Sequence, residues 1–151
     1  MSPAGLTATP RTALVVNTTV ALPERYAGPL CYDLAKSTVN RMTWAMAHEL
    51  HAHGVAVVGV APGFMRTERI VAGFTRAGMA AALDGGFGPR ETTTYVGRAV
   101  VALAAADDVM QHTGKVLEVG ALARSHGFTD ADGSQPEPFA WPAAAFRHPE
   151  L

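Results

Sequence analysis

Cysteine is almost absent from this chain: Cys31 is the only one in 151 residues. No internal disulfide can form, and that usage fits a reducing, cytoplasmic compartment. Charge is also sparse, at 17% of residues, and nearly balanced, with a net charge of −1. That balance gives no electrostatic basis for binding nucleic acid or an acidic membrane. No apolar run approaches the ~20 residues of a membrane helix. Met1 to Pro10 has no basic stretch followed by an apolar core, so it does not read as a secretory signal. In His48-Glu-Leu-His-Ala-His53, Ala52 stands where H-E-x-x-H needs its second histidine, so no metal site is expected. What is plentiful is apolar: 48% of residues are hydrophobic, enough for the core of one globular domain.

The apolar residues fall into alternating strand and helix patterns. Ala13-Leu-Val-Val16 is a short continuous run, read as a buried strand whose carboxyl end carries Asn17, Thr18 and Thr19. A loop with Pro23, Gly28 and Pro29 leads into a long helix over about Leu30 to His53, with Ala35, Val39, Met42, Met46 and Leu50 as its apolar stripe. Gly54 stops that helix. Val55 to Ala61 is a second strand, ended by Pro62-Gly63. Phe64 to Arg90 is glycine-rich with short helical pieces and reads as a mobile flap. A helix over about Thr93 to Ala106 follows, capped from Thr92 to Thr94, with Val96, Val100 and Leu103 inward. Lys115 to Val119 is the third strand. From Ala121 periodicity fades, and Pro136, Pro138, Pro142 and Pro149 crowd the last 16 residues. Residues 1–127 are read as the folded unit and 128–151 as an irregular tail.

This order is βαβαβ, an α/β fold with a parallel sheet of about three strands and flanking helices. Ligands in such sheets sit beyond the carboxyl ends of the strands. Thr19, the Pro62-Gly63 turn and the start of the long helix meet there. That helix carries Tyr32 and Lys36, four residues apart and so on one face. A free phenol, with a pKa of about 10, is a poor proton donor or acceptor at neutral pH. A nearby ammonium favours the phenolate, so the pair can exchange a proton with a carbonyl or alcohol oxygen.

Leu14-Val-Val-Asn-Thr-Thr19, Tyr32-x-x-x-Lys36, Ala47-His-Glu-Leu50, His53-Gly-Val-Ala-Val-Val58, Ala61-Pro-Gly63, Thr67-Glu68 and Thr113-Gly-Lys-Val-Leu117 together resemble the C-terminal half of a short-chain dehydrogenase/reductase. The resemblance covers about Leu14 to Gly127 and implies a partial Rossmann-like, doubly wound sheet. It implies Tyr32 as general acid/base and Lys36 as the group that lowers its pKa and bonds the nicotinamide ribose. Thr19 stands thirteen residues before Tyr32, where the family has serine, and keeps the hydroxyl that holds the reacting oxygen. Pro62 and Gly63 would face the nicotinamide, the Met65 backbone would bond its carboxamide, and Thr67 would reach the amide or a phosphate. The implied activity is hydride transfer between NAD or NADP and a small apolar carbonyl or alcohol. Phe64, Ile70, Phe74, Met79 and Phe87 in the flap suit such a substrate.

The family's glycine-rich cofactor turn has no counterpart before Tyr32, where only 31 residues precede. The resemblance therefore implies a truncated unit whose pyrophosphate seat lies upstream or in a companion chain. An open strand edge and an apolar second face on the long helix imply a homo-oligomer or association with a full-length relative. Two rival readings follow. One is a non-catalytic interaction subunit. The other is a cofactor-free isomerase or dehydratase working through Tyr32 and Lys36 alone.

Overall fold

The computed structural model describes residues 13–20, 29–84, 88 and 90–140. Residues 21–28, 85–87 and 89 and both ends of the chain, including Pro142 and Pro149, lie outside the described residues. Three strands, β1 (Ala13–Thr18), β2 (Val55–Ala61) and β3 (Val116–Glu118), form a parallel sheet in the order β1-β2-β3. Ala13 pairs with Val55 and Thr18 with Val60. Gly59 pairs with Val116 and Ala61 with Glu118. Parallel neighbours need a crossover. The first is α1 (Leu30–Leu50). The second contains α2 (Glu68–Ala72), α3 (Arg76–Asp84) and α4 (Thr93–Ala105).

β2 is central and buried on both faces, which is why it reads as a continuous apolar run rather than an alternating one. Val58 and Val60 pack with Tyr95, Ala99 and Leu103 of α4 and with Val119, Leu122 and Ala123. Strand side chains alternate, so Val57 and Gly59 face the opposite layer, the one that holds α1. Asn17 of β1 bonds Thr43 of α1 on that side at 2.9 Å. A Cβ at Gly59 would meet Val116 Cγ2 at 3.0 Å and Thr19 Cγ2 at 3.3 Å, so glycine lets three strand ends close together there.

Several expectations shift by a residue or a turn. The helix expected to His53 leaves α-geometry at Leu50 and finishes as a tight 3-10 turn over His51–His53, closed by Gly54 at φ 67°. The face of α1 turned to the sheet is Thr43 and Ala47, not Met42. Small residues let the helix approach the strands, while Leu34, Met42 and Trp44 stay exposed. On α4 the buried line is Tyr95, Ala99 and Leu103, with Val96 and Val100 only half-buried. Thr92 caps α4 by accepting from the Thr94 amide at 3.2 Å.

The larger correction lies after β3. The strand ends at Glu118, and Val119–His126 forms a fifth helix, α5, where the sequence reading placed a strand end and an irregular stretch. Val119, Leu122 and Ala123 are buried at helical spacing. Beyond Gly127 the chain has no regular element up to residue 140, but it is tightly fastened. Buried Asp130 accepts from the Thr92 amide at 2.8 Å and from its hydroxyl at 2.5 Å. Gln135 Nε2 donates to the Ala123 and Phe128 carbonyls. Tyr95 donates to the Pro136 carbonyl at 3.2 Å, and Arg124 pairs with Glu137.

Candidate active site

The carboxyl end of β1 runs on for one more ladder bond, from the Thr19 amide to the Val60 carbonyl at 2.9 Å. This draws Thr19 into the interior, where it is 3% exposed. Its hydroxyl donates to Asn40 Oδ1 at 2.5 Å, and Asn40 Nδ2 donates to the Val20 carbonyl at 3.2 Å. Asn40 lies one turn beyond Lys36, which itself lies one turn beyond Tyr32. The helix period therefore stacks the three on one face. The sequence reading missed Asn40, although its spacing from Lys36 was visible.

Tyr32 is 45% exposed, in the first turn of α1. Lys36 Nζ stands 5.9 Å from the centre of its ring, over the face. The expected lowering of the phenol pKa is not found. Burial pushes the Tyr32 hydroxyl above its ordinary value of 10.0. The physical reason is loss of solvent, which disfavours the phenolate. Cys31 is exposed beside it.

The Pro62-Gly63 turn follows β2 directly. The Gly63 amide donates to Glu91 Oε2 at 2.9 Å. Glu91 is 2% exposed, and its carboxyl is pushed up to about 7. Burial is the main cause, followed by the charges of Asp130 and Glu118, with the Gly63 bond acting the other way. An isolated parallel bridge joins Met65 to Glu91 through the Arg66 amide and the Phe64 carbonyl. The bridge leaves Met65's own amide and carbonyl out of the pairing. Thr67 caps α2, accepting from the Ile70 amide at 3.4 Å, so its hydroxyl already has a structural task. Glu91 carried no local sequence signal, because it acts across 28 residues.

One cleft of about 700 Å³ gathers these elements. Thr19, Tyr32, Lys36, Pro62, Gly63, Met65 and Thr67 all line it. So does Phe139, brought by the C-terminal segment, which the sequence reading left in an irregular tail. The arrangement sets the Tyr32 phenol and the Lys36 ammonium, both donors, beside the Thr19 hydroxyl oxygen in a hollow that Thr18, Thr67 and Arg69 also line, a set suited to proton exchange with a single oxygen atom. A second cleft, of about 520 Å³, lies at the far end of α1 beside Trp44, His48 and Lys115. Among the described residues no group of three or more histidine, cysteine, aspartate or glutamate side chains could hold a metal ion. No helix there is long and apolar enough to cross a membrane.

Comparison with known proteins agrees with the geometry. The family model described as short chain dehydrogenase matches residues 6–75. The chain is 33% identical over 107 residues to dehydrogenase/reductase SDR family member 1 of Homo sapiens, covering 68% of this chain and 34% of that protein. The Mus musculus protein of the same name is 32% identical over the same length. The chain thus spans about a third of the length of these curated relatives. Among solved structures, the angucycline C-6 ketoreductase LanV with bound NADP is similar with a TM-score of 0.57 and 20% identity, over 73% of this chain and 43% of that one. LugOII, a promiscuous reductase that catalyses keto-reduction at C1 during lugdunomycin biosynthesis, gives 0.55 and 23%, over 73% and 44%. These two likenesses show the same α/β, Rossmann-like arrangement of parallel strands and helices. With the Tyr32–Lys36 helix, the Pro62-Gly63 turn and the sheet in place, the chain belongs to the short-chain dehydrogenase family.

Proposed function

We propose that this chain forms the catalytic portion of an oxidoreductase that exchanges a hydride between NAD or NADP and a small apolar carbonyl or secondary alcohol. The observation that carries the reading is the shared cleft: Thr19 from β1, Tyr32 and Lys36 from α1, and Pro62, Gly63 and Met65 after β2 surround one hollow. The donor set fits the nicotinamide and ribose end of such a cofactor. Lys36 and Tyr32 would hold the ribose, and the Met65 backbone and Thr67 would meet the carboxamide. A nicotinamide, when bound, supplies the hydride acceptor or donor. The NADP bound in the LanV ketoreductase structure is in keeping with this.

The chain's own groups do the proton chemistry. With its pKa raised, the Tyr32 phenol is protonated at neutral pH and is ready to give a proton to a carbonyl oxygen, which favours reduction. Thr19 spends its hydrogen on Asn40 and so turns lone pairs toward the cleft, where it accepts from a phenol or alcohol hydroxyl. Phe64, Ile70 and Phe139 give one side of the hollow an apolar lining that suits an apolar substrate. A protein of this kind is expected in the cytoplasm.

Association belongs to the same proposal. Among the described residues β1 stands at the sheet edge, and α1 exposes Leu34, Met42 and Trp44. A second copy or a complementary chain would cover both. The test is titration with NADPH, followed by its fluorescence, together with carbonyl reduction by the wild type and by Tyr32→Phe. Binding with loss of turnover in the variant supports the reading. Turnover of a substrate without any nicotinamide would replace it with the isomerase or dehydratase alternative.

A further inference from the structure

Glu91 is gripped by, and grips, one short piece of chain. Its Oε2 accepts from the Gly63 amide at 2.9 Å. Its carbonyl accepts from the Arg66 amide at 2.7 Å, and its amide donates to the Phe64 carbonyl at 3.4 Å. Three hydrogen bonds thus tie residues 63 to 66 to one buried acid. The fit is close: a Cβ added at Gly63 would lie 2.6 Å from Glu91 Oε1 and 3.1 Å from Phe139 Cβ. The proton chemistry proposed above makes no use of Glu91, yet burying an acid there is costly and calls for a role.

We infer that Glu91 is a positioning residue whose carboxylate fixes the Pro62-Gly63 turn, and with it the Met65 wall of the cleft, and that taking up a proton loosens that turn. A backbone amide bonds a carboxylate more strongly than a neutral acid, so the turn is held tightest when Glu91 is ionised. The surroundings keep ionisation in reach of neutral pH. Asp130 from the C-terminal segment and Glu118 from the end of β3 act on Glu91 as like charges. Tyr95 of α4 faces it as a neutral phenol, with Arg124 and Glu137 acting on that tyrosine in turn. Burial and the two carboxylates oppose ionisation, and the Gly63 amide favours it.

The effect on the cleft rests on the function proposed above, whereas the grip on Gly63 does not. The experiment separates the two. In the full ¹⁵N-labelled chain, the Gly63 amide resonance is followed with pH in the wild type and in Glu91→Gln. The expected result is a titration of the Gly63 amide with a midpoint near 7 in the wild type, absent in the variant. A flat wild-type response, or one that survives in Glu91→Gln, overturns the inference without depending on how the variant folds. NADPH affinity is measured across the same range. The wild type should bind several-fold more weakly on the acid side of the midpoint, and Glu91→Gln should bind with no such dependence. Equal pH profiles in the two proteins would overturn the link between the turn and the cleft. A titrating Gly63 amide with no NADPH binding at any pH would count against the proposed function and leave the positioning role standing.

Discussion

Thr19 gives its hydroxyl hydrogen to Asn40 Oδ1 at 2.5 Å. The direction is fixed by a second bond, because Asn40 Nδ2 donates to the Val20 carbonyl and only the amide oxygen is left to face Thr19. The strand that ends in Thr19-Val20 is thereby stitched to the helix that carries Tyr32 and Lys36. A serine-type role for Thr19 is then a matter of lone pairs rather than of a free hydrogen.

Asn40→Ala should cut both stitches. The Val20 carbonyl and the Thr19 hydroxyl lose their partner in a part-buried site, at a cost of about 1–2 kcal/mol. Urea unfolding measures the loss. Thr19→Ser should leave stability closer to wild type than Asn40→Ala does, since the hydroxyl stays.

Tyr32→Phe should barely alter stability, within about 0.5 kcal/mol, because the ring is half-exposed and its bulk is kept. The ultraviolet difference between wild type and variant on alkaline titration isolates the Tyr32 phenol. Its ionisation is expected above the ordinary value of 10.0 in the chain without ligand. A midpoint below that value would show that Lys36 outweighs burial.

Glu91 should leave a mark on stability against pH. Its folded value is about 7 and its ordinary value 4.5. A raised acid binds its proton more tightly when folded, so its contribution is fully present below about pH 4.5 and is lost as pH rises through about 7. Relative to Glu91→Gln, the unfolding free energy of the wild type is expected to fall across that window, by no more than about 3 kcal/mol. Chemical denaturation at a series of pH values gives the curve.

Gly120→Ala should displace the C-terminal segment. Its Cβ would lie 2.5 Å from Pro138 N, 2.8 Å from Glu137 C and 2.9 Å from Pro136 O, all backbone atoms that no rotamer change can move. The expected cost is about 1–3 kcal/mol. Faster amide exchange in residues 135–139 would accompany it. Gly97→Ala is the control. It sits in α4 with nothing within 4 Å of the new carbon and should gain up to about 1 kcal/mol from helix propensity.

Much of this was legible in the residues. The β2 limits at Val55 and Ala61, the α4 cap at Thr92 and the shared cleft of Thr19, Tyr32, Lys36 and Gly63 all follow from local pattern and from where strand ends must lie. Helix α5 was hidden because Val119 completes an apolar run with β3, so its i, i+3, i+4 pattern over Val119, Leu122 and Ala123 was split between two readings. Thr43 and Ala47 were passed over because a hydrophobic stripe favours large residues, whereas close helix-to-sheet contact here selects small ones. Glu91 and Phe139 left no trace, since each reaches the site through tertiary contacts that sequence spacing does not encode.

Phe139 also sets an order of events. A chain made from its N-terminus yields Thr19, Tyr32 and Lys36 early and the Gly63 turn soon after, but a domain generally folds as a unit. The hollow between them stays open on one side until residues 135–139 have been made and have found Gln135's carbonyl partners and the Tyr95 hydroxyl. The pocket that shields the acid–base pair is thus complete only once the last-made of its described walls has docked, and that wall comes from residues 128–140, which carry no helix or strand.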